Sequence, residues 1–104
     1  MPCETATKYL LPALRICITN DLAKNHKLNQ VHIASILGVS QPAVSKYLTG
    51  GYDKKIKNLT EDSKIKKHAI ELAEDIVNKK LERDEIIDAM LKICDILIDD
   101  YPNL

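Results

Sequence analysis

The sequence predicts an all-α fold, a five-helix, bundle-like domain. Glycine is limited to three positions and proline to four, so the chain carries few of the turn signals that separate strands. No stretch alternates apolar and polar residues with the period of two expected of a half-buried strand, whereas several stretches repeat apolar residues at helical spacing. A chain of 104 residues, 45% of them apolar, is long enough for one domain with one modest core.

The first predicted helix runs from about Thr7 to Asn25, where apolar residues recur every three or four positions: Leu10, Leu14, Cys17, Ile18 and Leu22. Pro12 lies inside this pattern, so the helix begins near it or bends there. A second helix is predicted from about Asn29 to Leu37. Gly38 follows it, at the position where a left-handed C-cap favours glycine.

A third helix is predicted from Ser40 or Gln41 to Leu48. Ser40 suits the N-cap because its hydroxyl can accept a hydrogen bond from the first turn. Pro42 suits that turn because the N–H that proline lacks would be unpaired there in any case. Gly50 and Gly51 end the helix, and residues 52–59 are predicted to be a charged linker.

Two further helices are predicted in the C-terminal part of the chain. Thr60 is expected to cap a fourth helix that reaches about Lys80, and Asp84 a fifth that reaches about Asp100. The predicted organisation is an N-terminal region with three helices, residues 1–58, and a C-terminal helical pair, residues 59–104. The pair is expected to pack on the first region within one compact domain.

The second and third helices carry the pattern of a helix-turn-helix, which needs a small residue at the helix contact and a residue free to turn. Ala34 is the small residue, and Gly38 can adopt positive φ without steric cost. The apolar residues spaced to face inward are Ile33, Leu37, Val39, Val44 and Leu48. The residues left facing outward lie in the part of the third helix that would enter a major groove: Gln41, Pro42, Ser45 and Lys46.

The charges separate along the chain although they sum to zero. Residues 24–68 carry nine lysines and three acids, a net charge of +6, whereas residues 69–104 carry four bases and ten acids, a net charge of −6. This asymmetry favours a nucleic-acid face on one half and a different partner on the other. Lys54, Lys55 and Lys57 follow the third helix directly and are predicted to contact phosphates.

The segment QVHIASILGVSQPAVSKYLTG, residues 30–50, resembles the helix-turn-helix of lambda Cro- and XRE-type repressors. The resemblance implies that Gln30 contacts phosphate and that Gln41 hydrogen-bonds a base, often adenine. It implies base or backbone contacts for Ser45 and Lys46, and an apolar contact for Pro42. Ser40, just before them, is also predicted to contact DNA. Together with MPCE and YLLPALR near the start, the segment is also similar to small archaeal transcriptional regulators. Some of these carry the module fused to a thiamine-phosphate-synthase-like domain, which these 104 residues do not include, so no effector is identified.

The expected function is that of a sequence-specific transcriptional regulator that binds double-stranded DNA through its helix-turn-helix region, residues 1–58. One alternative is a protein-interaction module that uses residues 60–100, with a helix-turn-helix that is only structural. Another is a winged-helix regulator, but its wing needs a β-hairpin soon after the third helix, and residues 50–69 show no pair of alternating strands. DNA binding would differ from the first alternative in its steep loss of affinity with salt.

The fifth predicted helix carries a stripe with the 3-4 spacing of a coiled-coil seam, predicted to be a homodimer interface: Ile87, Met90, Cys94, Leu97 and Tyr101. A second reading of such a stripe is that it faces the protein's own core.

No enzyme chemistry, metal or cofactor is predicted. The three histidines, His26, His32 and His68, lack metal-ligand spacing, and the sequence has no glycine-rich phosphate loop. The three cysteines, Cys3, Cys17 and Cys94, form no CxxC pair, which favours a reducing cytoplasm. No apolar run reaches the roughly 18 residues of a membrane span, so no membrane contact is expected.

Overall fold

A computed structural model describes Glu4, residues 6–102 and Leu104. The α-helices of this part of the chain are α1 Leu11–Lys24, α2 Gln30–Leu37, α3 Gln41–Thr49, α4 Lys54–Thr60, α5 Ser63–Asn78 and α6 Arg83–Leu97. A π-helical turn, Ala6–Leu10, leads into α1, and a 3-10 turn, Ile98–Asp100, follows α6. No strand occurs among the described residues, so the all-α prediction is confirmed. The count of five helices is wrong, because α4 makes six.

The additional helix α4 occupies most of the stretch predicted to be a linker. Asp53 caps it, and its carboxylate accepts a hydrogen bond from the backbone N–H of Lys55 at 2.7 Å. Leu59 is buried and Ile56 half-buried, and both pack against the core. A helix of about two turns with two inward apolar residues can form when a core is there to receive those residues.

The predicted caps of α5 and α6 are each displaced by two residues. The Thr60 hydroxyl donates to the Lys57 carbonyl at 2.6 Å, inside α4. The α5 N-cap is Asp62, whose carboxylate accepts the Lys64 N–H at 2.8 Å. Glu82 rather than Asp84 is the N-cap of α6, and its N–H donates to Oε1 of Glu85 at 2.9 Å.

Helix α1 lies at the centre of the fold and packs against each of the other α-helices and the π-helical turn. Its side chains are buried around most of its circumference: Ala13, Leu14, Ile16, Ile18, Thr19 and Leu22. A helix that is apolar on nearly all sides is typical of a core position. The buried Thr19 hydroxyl is paired, because it donates to the Arg15 carbonyl at 2.8 Å. Through α1, residues of both the 1–58 and the 59–104 regions belong to one core.

Candidate nucleic-acid interface

The helices α2 and α3 are joined by a three-residue turn whose geometry is fixed by backbone hydrogen bonds. Asn29 caps α2, and its side-chain oxygen accepts the His32 N–H at 2.8 Å. Gly38 ends α2 in the left-handed conformation, with φ 69° and ψ 32°, and its N–H donates to the Ala34 carbonyl. The N–H of Val39 donates to the same carbonyl at 3.1 Å. This arrangement of C-terminal bonds satisfies a carbonyl that the helix itself leaves free.

Helix α3 begins immediately after this turn. Ser40 is extended, and its Oγ accepts the Ala43 N–H at 3.2 Å, so the predicted N-cap is correct. The Ser40 O–H group can still donate to another acceptor, since only its oxygen takes part in the cap. Gln41 and Pro42 occupy the exposed first turn of α3.

The predicted inward and outward faces of this helix pair agree with the burial of its side chains. Ile33, Ala34, Leu37 and Val44 are all buried, and Val39 and Leu48 are half-buried against the core. On the opposite side, Gln41, Pro42 and Lys46 are exposed, whereas Gln30 and Ser45 are half-buried. The angle between α2 and α3 is therefore held by packing, and a polar surface is left on the outside of α3.

Lysines of α4 and of the π-helical turn form a second polar surface, which we call the basic patch: Lys8, Lys54, Lys55 and Lys57, all exposed. The Nζ atoms of Lys55 and Lys8 lie 4.6 Å and 5.5 Å from the centre of the Tyr9 ring. A cation over an aromatic ring at such distances is attracted by about 0.5–1 kcal/mol at an exposed site. Sequence reasoning identified neither Lys8 nor Tyr9, because only the fold brings them to α4.

Arg83, at the start of α6, holds the end of α2. Its Nε and Nη2 donate to the Ser35 carbonyl at 3.2 Å and 2.8 Å. That carbonyl belongs to the last turn of α2, where carbonyls lack helical partners and the helix dipole favours a cation. A Cβ placed on Gly38 would stand 3.1 Å from the Arg83 side chain, which shows how closely the arginine follows the turn. Sequence reasoning did not identify this contact, which spans 48 positions of the chain.

We expect Arg83→Ala to lower the free energy of unfolding by about 1 kcal/mol, because a charge-assisted pair of hydrogen bonds is lost at a partly solvated site. Urea unfolding followed by circular dichroism measures this change. Lys92→Ala is the control, since it removes an exposed cation of the same helix and should shift stability by less than about 0.5 kcal/mol. Equal unfolding midpoints for the two variants would contradict the assigned role of Arg83.

The predicted dimer seam on α6 is corrected by the structure. Met90, Cys94 and Leu97 are buried in the chain's own core, with 1%, 2% and 5% of their surface exposed. Tyr101 is half-buried against that core, and Ile87 alone of the five is widely exposed. The 3-4 spacing of the stripe is the same for a core face and for a seam, and here the stripe covers the core.

The two cysteines within the described residues are both free thiols. Cys17 donates to the Thr60 carbonyl at 3.4 Å. Burial raises the pKa of the Cys17 thiol to about 11, although the positive charge of Lys66 lowers it slightly. The pKa of the Cys94 thiol is also raised to about 11, mainly by burial and to a smaller extent by the negative charge of Asp95. Both thiols are therefore protonated and weakly nucleophilic at neutral pH. Cys3 lies outside the described residues.

The described part of the chain brings no three histidine, cysteine or carboxylate side chains together as metal ligands. Nor does any of its helices combine the length and apolar character needed to cross a membrane. Comparisons with protein-family models, with curated proteins and with solved structures return no match to this chain.

Proposed function

We propose that this protein is a sequence-specific DNA-binding regulator in which α2 and α3 act as a helix-turn-helix. One observation carries the proposal: α3 follows a tight, capped turn, buries Val44 completely, and leaves Gln41, Pro42 and Lys46 exposed on its outer side. Recognition helices enter the major groove in this way, with their N-terminal residues toward the base edges.

In this proposal Gln41 reads a base. It is the first residue of α3, is exposed, and carries a side-chain amide that can donate to and accept from adenine at once. Pro42 beside it offers only an apolar contact, such as a thymine methyl group. The stem of the exposed Lys46 passes Gly51, where an added Cβ would lie 3.2 Å from its Cγ. Lys46 therefore lies beside the C-terminal end of α3, and its assigned role is a phosphate contact.

In this proposal the basic patch supplies backbone contacts from the segment that follows α3 and from the π-helical turn. Its lysines are exposed, and phosphate contacts by lysine fix the position of a protein on the duplex without reading sequence. Gln30, at the N-terminus of α2, is proposed to make a further phosphate contact. Ten acids in residues 69–104 keep the opposite half of the chain away from phosphates.

The proposal is tested by fluorescence anisotropy with a mixed-sequence duplex, at salt concentrations from about 50 to 200 mM. Affinity that falls steeply and linearly on a log–log plot supports DNA binding through phosphates. A salt-independent or undetectable interaction would contradict it. Selection of bound sequences from random duplexes then gives the specific site that the next experiment needs.

Replacing Gln41 by Ala should weaken binding to the selected site by about 1–3 kcal/mol, because a bidentate base contact is lost. Binding to mixed-sequence duplex should hardly change. Gln30→Ala is the matched control, since a lost phosphate contact weakens both duplexes alike. If Gln41→Ala also weakens both alike, Gln41 is not a base reader.

A homodimer remains part of the proposal, because two-fold pairing would place two α3 helices in successive major grooves about 34 Å apart. With three residues of the predicted seam buried, such a dimer needs other surface residues. Ile87 and Ile96, exposed by 39% and 65%, are the large apolar side chains that α6 leaves on the outside. Sedimentation equilibrium of the wild type and of the Ile87→Glu and Ile96→Glu variants tests whether the chain forms a dimer and whether these two residues lie in its interface.

The second candidate function is that of a protein-interaction module. The net charge of −6 of residues 69–104 favours it, because an acidic surface that exposes Ile87 and Ile96 suits a protein partner rather than DNA. The salt titration separates the two candidates. A winged-helix regulator would need a β-hairpin after α3, whereas α4 occupies that stretch and the described residues contain no strand.

A further inference from the structure

An apolar groove runs between α2 and the C-terminal end of α5. It has a volume of about 390 Å³ and is lined by Leu28, His32, Ile36, Ile76, Val77, Lys80 and Leu81. Five of these seven side chains are apolar. Four of those five, all except Ile76, are only half-buried by the chain itself. Small-molecule sites fall within about 300–1,000 Å³ and are mainly apolar with a few placed polar groups, which matches this groove.

The polar groups of the groove point to the charge of its occupant. Lys80, in the turn after α5, and His32, on α2, both line the groove, and no carboxylate lines it. Lys80 has the left-handed backbone conformation, with φ 52°, which lets the chain reverse so that Leu81 lines the groove beside it. Glu82 and Asp84 line a separate groove, which shares Ile36 and Leu81 with this one.

A second groove, between α1 and α5, is lined by side chains of both charges. It has a volume of about 370 Å³, but its lining mixes Asp21 and Glu61 with Lys24 and Lys66. Asp21 already contacts the Nε2 atom of His26 at 3.4 Å. A lining that contains both signs selects no class of ligand, whereas an apolar groove with cationic and hydrogen-bonding groups alone selects an anion with an apolar body.

We propose that the groove between α2 and α5 binds a small amphipathic organic acid. Its chain or ring would lie on Ile36, Ile76 and Leu81, and its carboxylate would meet the Lys80 ammonium group, with the His32 imidazole as a hydrogen-bonding partner. Burial of the apolar body supplies most of the binding free energy, and the charged contact sets the preference for an anion. This binding involves none of the residues assigned to DNA, so it is measured without DNA and independently of the proposed function.

The test uses two probes of equal chain length, decanoate and decyltrimethylammonium, both below their micelle concentrations. Two-dimensional ¹⁵N NMR of the full chain should show decanoate shifting the amides of His32, Lys80 and Leu81, with a Kd of about 0.1–1 mM for a ligand of this size. The cationic probe should bind at least about fivefold more weakly. Lys80→Met keeps the length of the side chain but removes its charge, and it should bind decanoate about fivefold more weakly than the wild type does.

Lys79→Met is the matched control. Lys79 is the preceding residue and also exposed, but it pairs with Asp75 at 3.6 Å and does not line the groove. Decanoate affinity should be unchanged in this variant. The proposal is overturned if decanoate leaves the groove amides unshifted, if both probes bind equally well, or if Lys79→Met loses as much affinity as Lys80→Met.

Discussion

Leu97→Glu should leave the chain unfolded, or nearly so, at 25 °C. Leu97 is 5% exposed and lies in the same core cluster as α1 and Met90. Loss of a buried leucine costs about 2–5 kcal/mol, and an unpaired buried carboxylate adds several more. A small domain has only about 5–15 kcal/mol of stability in total, so the helical circular dichroism signal should be largely lost.

The neighbouring residue provides the control for this substitution. Ile96 is 65% exposed, and Ile96→Glu introduces the same charge one position earlier on α6. At a protein concentration low enough for the chain to be monomeric, its free energy of unfolding should stay within about 0.5 kcal/mol of the wild type. A Leu97→Glu variant that keeps its full helical signal and changes only from dimer to monomer in sedimentation equilibrium would restore the predicted seam.

Replacing Lys54, Lys55 and Lys57 together by Ala should have the largest effect on DNA binding. Each lost phosphate contact flattens the slope of log affinity against log salt by about 0.9, so the slope should fall by up to about 3. Sequence preference should be retained, since none of the three is proposed to reach a base. Anisotropy titrations of wild type and variant on the selected and mixed-sequence duplexes measure both quantities.

The control is a second triple variant that removes the same number of positive charges outside the basic patch. Lys79, Lys80 and Lys92 lie in the acidic C-terminal half, and their replacement by Ala should leave the salt slope unchanged. Lys55 also rests on the Tyr9 ring, so a small loss of stability is expected in the first variant. If both triple variants reduce the slope equally, net charge alone accounts for the effect and the basic patch has no specific role.

Local signals in the sequence were sufficient for the turn between α2 and α3. Gly38 is left-handed and Ser40 caps α3, as predicted, because both depend on residues only a few positions away. Helix α4 was not predicted, because seven residues with two inward apolar side chains give too weak a periodicity. Its stability comes from packing on α1 and on the π-helical turn, which no local pattern records.

The candidate site was predictable only in part for the same reason. The outward residues of α3 follow from helical spacing, whereas the contacts of Lys55 with Tyr9 and of Arg83 with Ser35 join residues more than 40 positions apart. The α6 stripe shows a different limit. Spacing identifies which residues share a face, but the burial of Met90 and Cys94 depends on what the rest of the chain places against that face.

The central position of α1 has a consequence for synthesis of the chain on the ribosome. Helix α1 is made before its main cover, α5, which ends at Asn78, 54 residues after the end of α1 at Lys24. At about 5–20 residues per second, the apolar sides of α1 remain without that cover for roughly 3–11 seconds. During this time the nascent chain exposes Leu14, Ile18 and Leu22 to other apolar surfaces, and the core can close only when α5 has left the exit tunnel.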